Sequence, residues 1–278
     1  MSRTLEPFEV FAIRYAHHRG RRAEDNFIGG GDFHDADSPL DYYVWVVRRG
    51  AEVYLVDTGF SVSAAAERKR TLLISPAKAL TQLGIDASTL EHVILTHLHY
   101  DHAGTLEDFP AATFHVQDAE PAYATGRCMC HAVLRHPYDV EDVVTFVRKV
   151  YSDRVVFHDG TSELSPGLTL HLVGGHSKGL QVVRVWTRRG WVVLASDATH
   201  LYANIERALP FPAVYSVGDM MEGFRRVREL ADSEDHIIPG HDPQVMARYP
   251  APDPSSEGVI VRLDVAPVRQ AVAPLRPV

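Results

Sequence analysis

Thr96-His97-Leu98-His99-Tyr100-Asp101-His102-Ala103-Gly104 holds three histidines and one carboxylate within six residues. The run His92-Val93-Ile94-Leu95 leads into it, apolar and partly β-branched, and reads as a buried strand. Gly104 closes it, so the cluster falls where a strand ends and the chain turns. His97 and His99 are two residues apart, and extended chain directs both imidazoles to one side. The turn that follows can carry Asp101 and His102 to a second position. A single ion does not need four ligands packed this tightly, so two neighbouring divalent ions suit the spacing better. The competing explanation is a His-rich surface turn. A His/Asp cluster at the end of an apolar strand is instead the ligand pattern that metal sites use.

Working outward, three more apolar segments end in ligand chemistry. Gly174-Gly175-His176-Ser177 follows residues 168–173, Ser196-Asp197 follows 191–195, and Gly240-His241-Asp242 follows Ile237-Ile238. One Gly-His after a strand means little; its recurrence beyond the first cluster carries the signal. Glycines beside His176 and His241 let backbone approach a crowded centre. Residues 52–56 form another strand and run into Asp57-Thr58-Gly59, a carboxylate able to reach sideways towards a site.

His97-x-His99-x-Asp101-His102 followed by Ala-Gly resembles the signature of the metallo-β-lactamase superfamily, and within it the chain looks like the N-acyl-homoserine lactonase group. The later motifs fall in the same order, from about Tyr42 to Pro250. The resemblance implies an α/β (α+β) fold, the αβ/βα four-layer sandwich, with metals at one edge. It implies that His97, His99 and His176 hold one metal and that Asp101, His102 and His241 hold the second. Asp197 would bridge both, and Asp57 would support a ligand histidine through the ring nitrogen that is not on the metal. These nitrogen-rich ligands suit zinc, with iron, cobalt or manganese as alternatives. No cysteine stands at a ligand position, which favours the branch with a bridging Asp.

The implied activity is a dinuclear hydrolase that opens a lactone ring by attack of a metal-bridging hydroxide, in particular a quorum-quenching N-acyl-homoserine lactonase. The alternative is hydrolysis of another small lactone, ester or thioester, pyridoxolactonase-like or glyoxalase II-like. Asp101 is also the expected proton shuttle to the leaving group. The lactonase group usually has a tyrosine three residues after the bridging Asp; here His200 takes that place and Tyr202 follows, so either is a candidate to stabilise the oxyanion.

Composition agrees with a globular enzyme: 278 residues, 45% hydrophobic, 23% charged and net charge −8. The longest basic run is Arg19-Gly20-Arg21-Arg22, so a nucleic-acid partner is not expected. No signal peptide or membrane span is recognisable in the sequence, and Cys128 and Cys130 read as reduced thiols, which together suggest a cytoplasmic protein. The expected partner is a small lactone or ester; a homo-oligomer is compatible with the sequence.

One domain is expected over residues 1–278. Strands are expected over 8–15, 41–48, 52–56, 92–95, 113–116, 155–158, 168–173, 181–187, 191–195 and 236–239. Ser75-Pro76 opens a helix that Gly84 stops, and another covers 219–231. Residues 118–153 break the strand rhythm as a helical insertion and candidate lid, with a helical stripe from Val140 to Val150. Residues 16–40, which include His17, His18 and His34, read as a long loop and candidate pocket wall. From about 250 a Pro- and Ser-rich tail is expected to be irregular.

Overall fold

The computed structural model describes residues 5–29 and 36–268, so His34 lies outside the described residues. In chain order the strands are β1 Glu9–His18, β2 Leu40–Arg49, β3 Glu52–Val56, β4 Thr71–Leu72, β5 His92–Ile94, β6 Thr113–Gln117 and β7 Val155–His158. They continue as β8 Thr161–Ser165, β9 Leu168–Leu172, β10 Gln181–Thr187, β11 Gly190–Ser196, β12 Ile237–Pro239 and β13 Ile260–Arg262. One sheet runs β13-β1-β2-β3-β5-β6-β7, with β4 on β1; the other runs β12-β11-β10-β9-β8. β3, β5, β6 and β7 are parallel, and so are β11 and β12. Parallel neighbours bring their C-terminal ends to the same edge, which is where Asp57, the histidine-rich turn, Asp197 and His241 emerge.

Alternation along the strands builds the layers. Val10 and Ala12 of β1 and Tyr43, Trp45 and Val47 of β2 face the second sheet, where Leu168, Leu170, Val183, Val185, Val192 and Leu194 meet them. The intervening Phe11, Ile13, Tyr42, Val44 and Val46 point the other way, to Ala79 and Leu80 of the helix Pro76–Leu80 and Val143 and Phe146 of the helix Val140–Tyr151. On the far side the helix Val217–Leu230 lays Met220, Phe224, Val227 and Leu230 over Val182 and Val193. Each such side chain contributes roughly 1.5–3 kcal/mol on leaving water. The result is the expected stack of helix, sheet, sheet, helix.

Local signals explain the element ends. The Ser75 hydroxyl accepts from Lys78 N, Pro76 opens the first turn, and the chain stops at Gly84 with φ 71° after a short 3-10 turn. The helix Val217–Leu230 starts two residues before the expected position, because Ser216 caps it by accepting from Asp219 N. Residues 118–153 are helical as expected, in Ala119–Ala124, Ala132–Arg135 and Val140–Tyr151. The loop expected over residues 16–40 begins later, since β1 continues through His17 and His18.

The C-terminal expectation needs correction. The segment beyond 250 is not irregular throughout: β13 pairs antiparallel with β1 through Phe11↔Arg262 and Ile13↔Ile260, and Ile260, Val261 and Leu263 are buried. Three consecutive apolar residues, Val259-Ile260-Val261, gain more from burial than the flanking prolines oppose. Among the described residues no helix is long and apolar enough to cross a membrane.

Candidate metal centre

Asp57 leaves β3 in a left-handed conformation, φ 62°, uncommon for a residue with a side chain. Its carboxylate is wholly buried and holds the histidine-rich turn: Oδ1 accepts from Thr96 N at 2.7 Å, and Oδ2 accepts from the Thr96 hydroxyl at 2.8 Å and from His102 Nδ1 at 2.7 Å. Thr58 N donates to His102 O and the Tyr15 hydroxyl to Asp101 O, which fixes the short helix Tyr100–Ala103. His99 stands just before that helix, so the extended part of the motif carries His97 and His99 and its first turns carry Asp101 and His102.

His97, His99 and His176 converge. His176 Nε2 lies 2.8 Å from His99 Nδ1 and 3.2 Å from His97 Nε2, and the last two nitrogens are 3.0 Å apart. On the other side Asp101 Oδ2 lies 3.6 Å from His102 Nε2 and 3.7 Å from His241 Nε2. Asp197 stands between the two groups. Its Oδ2 is 3.1 Å from His176 Nε2, while its Oδ1 is 3.0 Å from His241 Nε2 and 3.4 Å from His102 Nε2.

The outward nitrogens decide the tautomers. His176 Nδ1 donates to Ala213 O at 2.5 Å, His241 Nδ1 to Asp41 O at 3.0 Å, and His102 Nδ1 to the Asp57 carboxylate. A carbonyl or carboxylate only accepts, so each of these rings, when neutral, turns an Nε2 lone pair inward. Burial, and then the neighbouring histidines, hold His97 and His99 well below the usual imidazole range. Burial opposes charge on Asp197, but His241, His102, His200 and His176 outweigh it and keep it ionised.

Buried lone pairs that face one another are unfavourable unless a cation lies between them. His102 Nε2 and Asp197 Oδ1 are buried with no hydrogen-bond partner among the described residues. The sets His97/His99/His176, His97/His102/Asp197 and Asp101/His102/His241 each keep their ligand atoms within 4.8 Å of one another. This donor set fits a metal site of imidazole and carboxylate type. Close approach is built into Gly240, where an added Cβ would meet Asp197 Oδ1 at 2.6 Å.

His200 and Tyr202 part company. His200 reaches the centre, stacks on Phe211 at 3.5 Å, and gives its one N–H to Asp197 Oδ2 through Nε2 at 2.9 Å. Burial lowers its pKa to about 3 despite Asp197, so the ring is neutral and its Nδ1 is a lone pair. In that tautomer it orients Asp197. Tyr202 packs in the core between the sheets, its hydroxyl buried without a partner among the described residues, and does not line the cavity over the centre. Lys178 is exposed, and Cys128 and Cys130 are free.

Glu120 is the residue that motif reading missed. It is fully buried and accepts four hydrogen bonds. Leu98 N and the Tyr138 hydroxyl donate to Oε1 at 2.9 Å each; the Ser177 hydroxyl and Gly179 N donate to Oε2 at 2.7 and 3.0 Å. One carboxylate thus ties the His97–His99 turn, the His176 loop and the helical insertion together. An added Cβ on Gly179 would lie 2.2 Å from Glu120 N, so glycine there permits the contact.

Beside the cavity over the centre lies a second space bordered by the helical insertion. Tyr123, Val133, Leu134 and Pro137 face Pro212, Val214 and Tyr215 across a space of 520 Å³ that His99 and His176 border.

Comparison with known proteins agrees with this geometry. Residues 37–245 match the sequence profile of the Metallo-beta-lactamase superfamily. A probable metallo-hydrolase of Mycobacterium tuberculosis is 24% identical over 234 residues, 73% of this chain and 72% of that protein. The N-acyl homoserine lactonase AttM of Agrobacterium fabrum is 29% identical over 174 residues, 60% of this chain and 64% of that one. Among solved structures, a quorum-quenching N-acyl homoserine lactone lactonase superposes with a TM-score of 0.68 at 24% identity, covering 88% of this chain and 95% of the other. That similarity shows a shared fold.

Proposed function

This chain belongs to the metallo-β-lactamase superfamily of metallo-hydrolases, and on that premise we propose that it is a dinuclear hydrolase that opens a small lactone. The observation that carries the proposal is Asp197: its two oxygens face opposite histidine groups, as a bridging carboxylate requires. His97, His99 and His176 would hold one ion, and Asp101, His102 and His241 the other. When bound, two such ions, zinc by the donor set, supply a water of lowered pKa and polarise the ester carbonyl.

The chain's own residues do the rest. Asp57 holds the His102 tautomer, and His200 holds Asp197 by its Nε2–H. Asp101 opens on the cavity and is placed to pass a proton to the departing oxygen. Water oxygen bonds to the carbonyl carbon, the ring C–O bond breaks, and the alkoxide takes a proton; one water is consumed and nothing is oxidised. The apolar space beside His99 and His176 would take an acyl chain. The N-acyl homoserine lactonases among the relatives make that lactone the first to try, with other lactones, esters and thioesters behind it.

The zinc-loaded protein should be assayed on matched panels of lactones, thioesters and phosphodiesters. Lactone opening that a chelator abolishes and zinc restores is expected. Turnover of phosphodiesters alone would overturn the proposal.

A further inference from the structure

The cavity over the centre is also lined by three guanidiniums, Arg21, Arg68 and Arg70, and Arg21 borders the apolar space as well. This is unusual placement in a chain of net charge −8. Several arginines elsewhere sit on carboxylates: Arg14 on Asp41, Arg48 on Glu9, Arg49 on Glu52, Arg262 on Asp264. The three at the mouth are held by neutral acceptors instead. Arg68 donates to His136 O at 3.0 Å and Tyr138 O at 3.2 Å, and lies 4.0 Å over the Tyr100 ring. Arg70 donates to Arg68 O at 2.6 Å and to the Tyr100 hydroxyl at 3.3 Å. Arg21 donates to Asp25 O at 2.5 Å and to the Asn26 side chain. Among the described residues no carboxylate is in contact with any of the three, although Asp25, Asp101 and Asp142 lie close enough to act on Arg21, Arg70 and Arg68 through space.

These contacts set the side chains without neutralising them. A guanidinium has five N–H donors, and Arg70 Nη2 meets no acceptor among the described residues. The carboxylates of the same cavity, Asp101 and Asp197, are turned to the histidines. Three like charges fixed around one opening repel one another, and an anion entering it relieves that repulsion with charge-assisted hydrogen bonds. A neutral ester would leave them unmatched.

We infer that the substrate carries, besides its scissile ester and an apolar portion, a fixed anionic group of carboxylate or phosphate type that docks on Arg68 and Arg70 with Arg21 beside them. The inference rests on the hydrolase reading of the centre and narrows its substrate class. The ester reacts over the histidines, the apolar part enters the space lined by Tyr123 and Tyr215, and the charge stays at the mouth.

The test compares three lactones on the zinc-loaded enzyme: N-succinyl-homoserine lactone, its 3-phosphonopropanoyl analogue, and the neutral succinyl methyl ester. One anionic lactone should exceed the neutral one in kcat/KM by about tenfold or more. The excess should shrink as salt rises from about 0.05 to 0.5 M. The carboxylate and phosphonate arms show which anion the site takes. Arg68→Gln and Arg70→Gln should each pull the ratio towards unity, and Arg70→Lys should keep part of it. The ratio compares substrates on one preparation, so a partly folded variant still reports.

Equal turnover of neutral and anionic lactones, or a ratio that neither Gln variant moves, overturns the inference. If no lactone is opened, the lactonase proposal has failed, and calorimetry on N-succinyl-homoserine and N-butyryl-homoserine decides this one separately. Both acids carry the same carboxylate at the centre and differ in the second charge. Tighter binding of the doubly charged acid supports the arginine mouth, and equal binding overturns it.

Discussion

At the ends of β5, β9 and β12, histidine nitrogens converge on a point; across β5, β6 and β7, His92, His115 and His158 stand in file. In the file His158 Nε2 meets His115 Nδ1 at 3.1 Å, and His115 Nε2 meets His92 Nδ1 at 3.3 Å. Each neutral ring there can donate to one neighbour and accept from the next, so the middle ring has both nitrogens engaged. At the centre, carbonyls of Ala213 and Asp41 and the carboxylate of Asp57 take the outward N–H groups, and the lone pairs are left facing inward. The same residue type builds a hydrogen-bonded chain in one place and a ligand set in the other. The difference lies in what holds the outer nitrogen.

The largest effect should come from removing the tie behind the centre. Glu120→Ala leaves Leu98 N and Gly179 N without their acceptor in a buried site, a loss of about 3 kcal/mol or more. Denaturant unfolding should show it, with metal content falling alongside; unchanged stability would mean that other contacts hold the loops. Asp57→Ala acts nearer the candidate metal site, on the His102 ring and on Thr96. By freeing His102 Nδ1 it should weaken metal affinity about 10- to 100-fold in a chelator competition. Equal affinity would remove the distinction between anchored and unanchored rings.

The histidine file should answer to pH. Burial, then His158 and His92, lower the His115 pKa from 6.5 to about 4. Between those values the folded chain binds fewer protons than the unfolded one. Stability present above pH 6.5 is therefore lost as pH falls towards 4, on the order of 3 kcal/mol. Unfolding curves of wild type and His115→Gln should diverge at neutral pH and draw together in acid, with metal content equal in both. A constant difference across that range would contradict the account of the file. The smallest effect belongs to Tyr202→Phe. Its hydroxyl has no partner among the described residues, so stability should move by less than about 0.5 kcal/mol and kcat should hold. A large drop in kcat would bring that hydroxyl back to the reacting atoms.

What the sequence disclosed was whatever lay close together along it. His97, His99, Asp101 and His102 share one turn, and His176, Asp197 and His241 each follow an apolar strand, so pattern and chemistry coincide. β3, β7 and β10 were readable end to end from their β-branched runs. Glu120 was not, because its partners Leu98 and Ser177 are 22 and 57 residues away and nothing local marks a helix carboxylate as buried. β8 was hidden by a polar sequence on a sheet edge, and β13 by the prolines before and after it. The arginine mouth is assembled from Arg21 on one segment and Arg68 and Arg70 on another, so composition alone showed only an acidic protein.

Metal stoichiometry measured on wild type and Asp197→Ala addresses the centre most directly. Wild type should hold two ions per chain in equilibrium with buffered zinc, and Asp197→Ala should hold fewer, with hydrolysis reduced about a thousandfold or more. Wild type saturating at one ion, or Asp197→Ala retaining two with undiminished affinity, would contradict a carboxylate shared between two histidine groups.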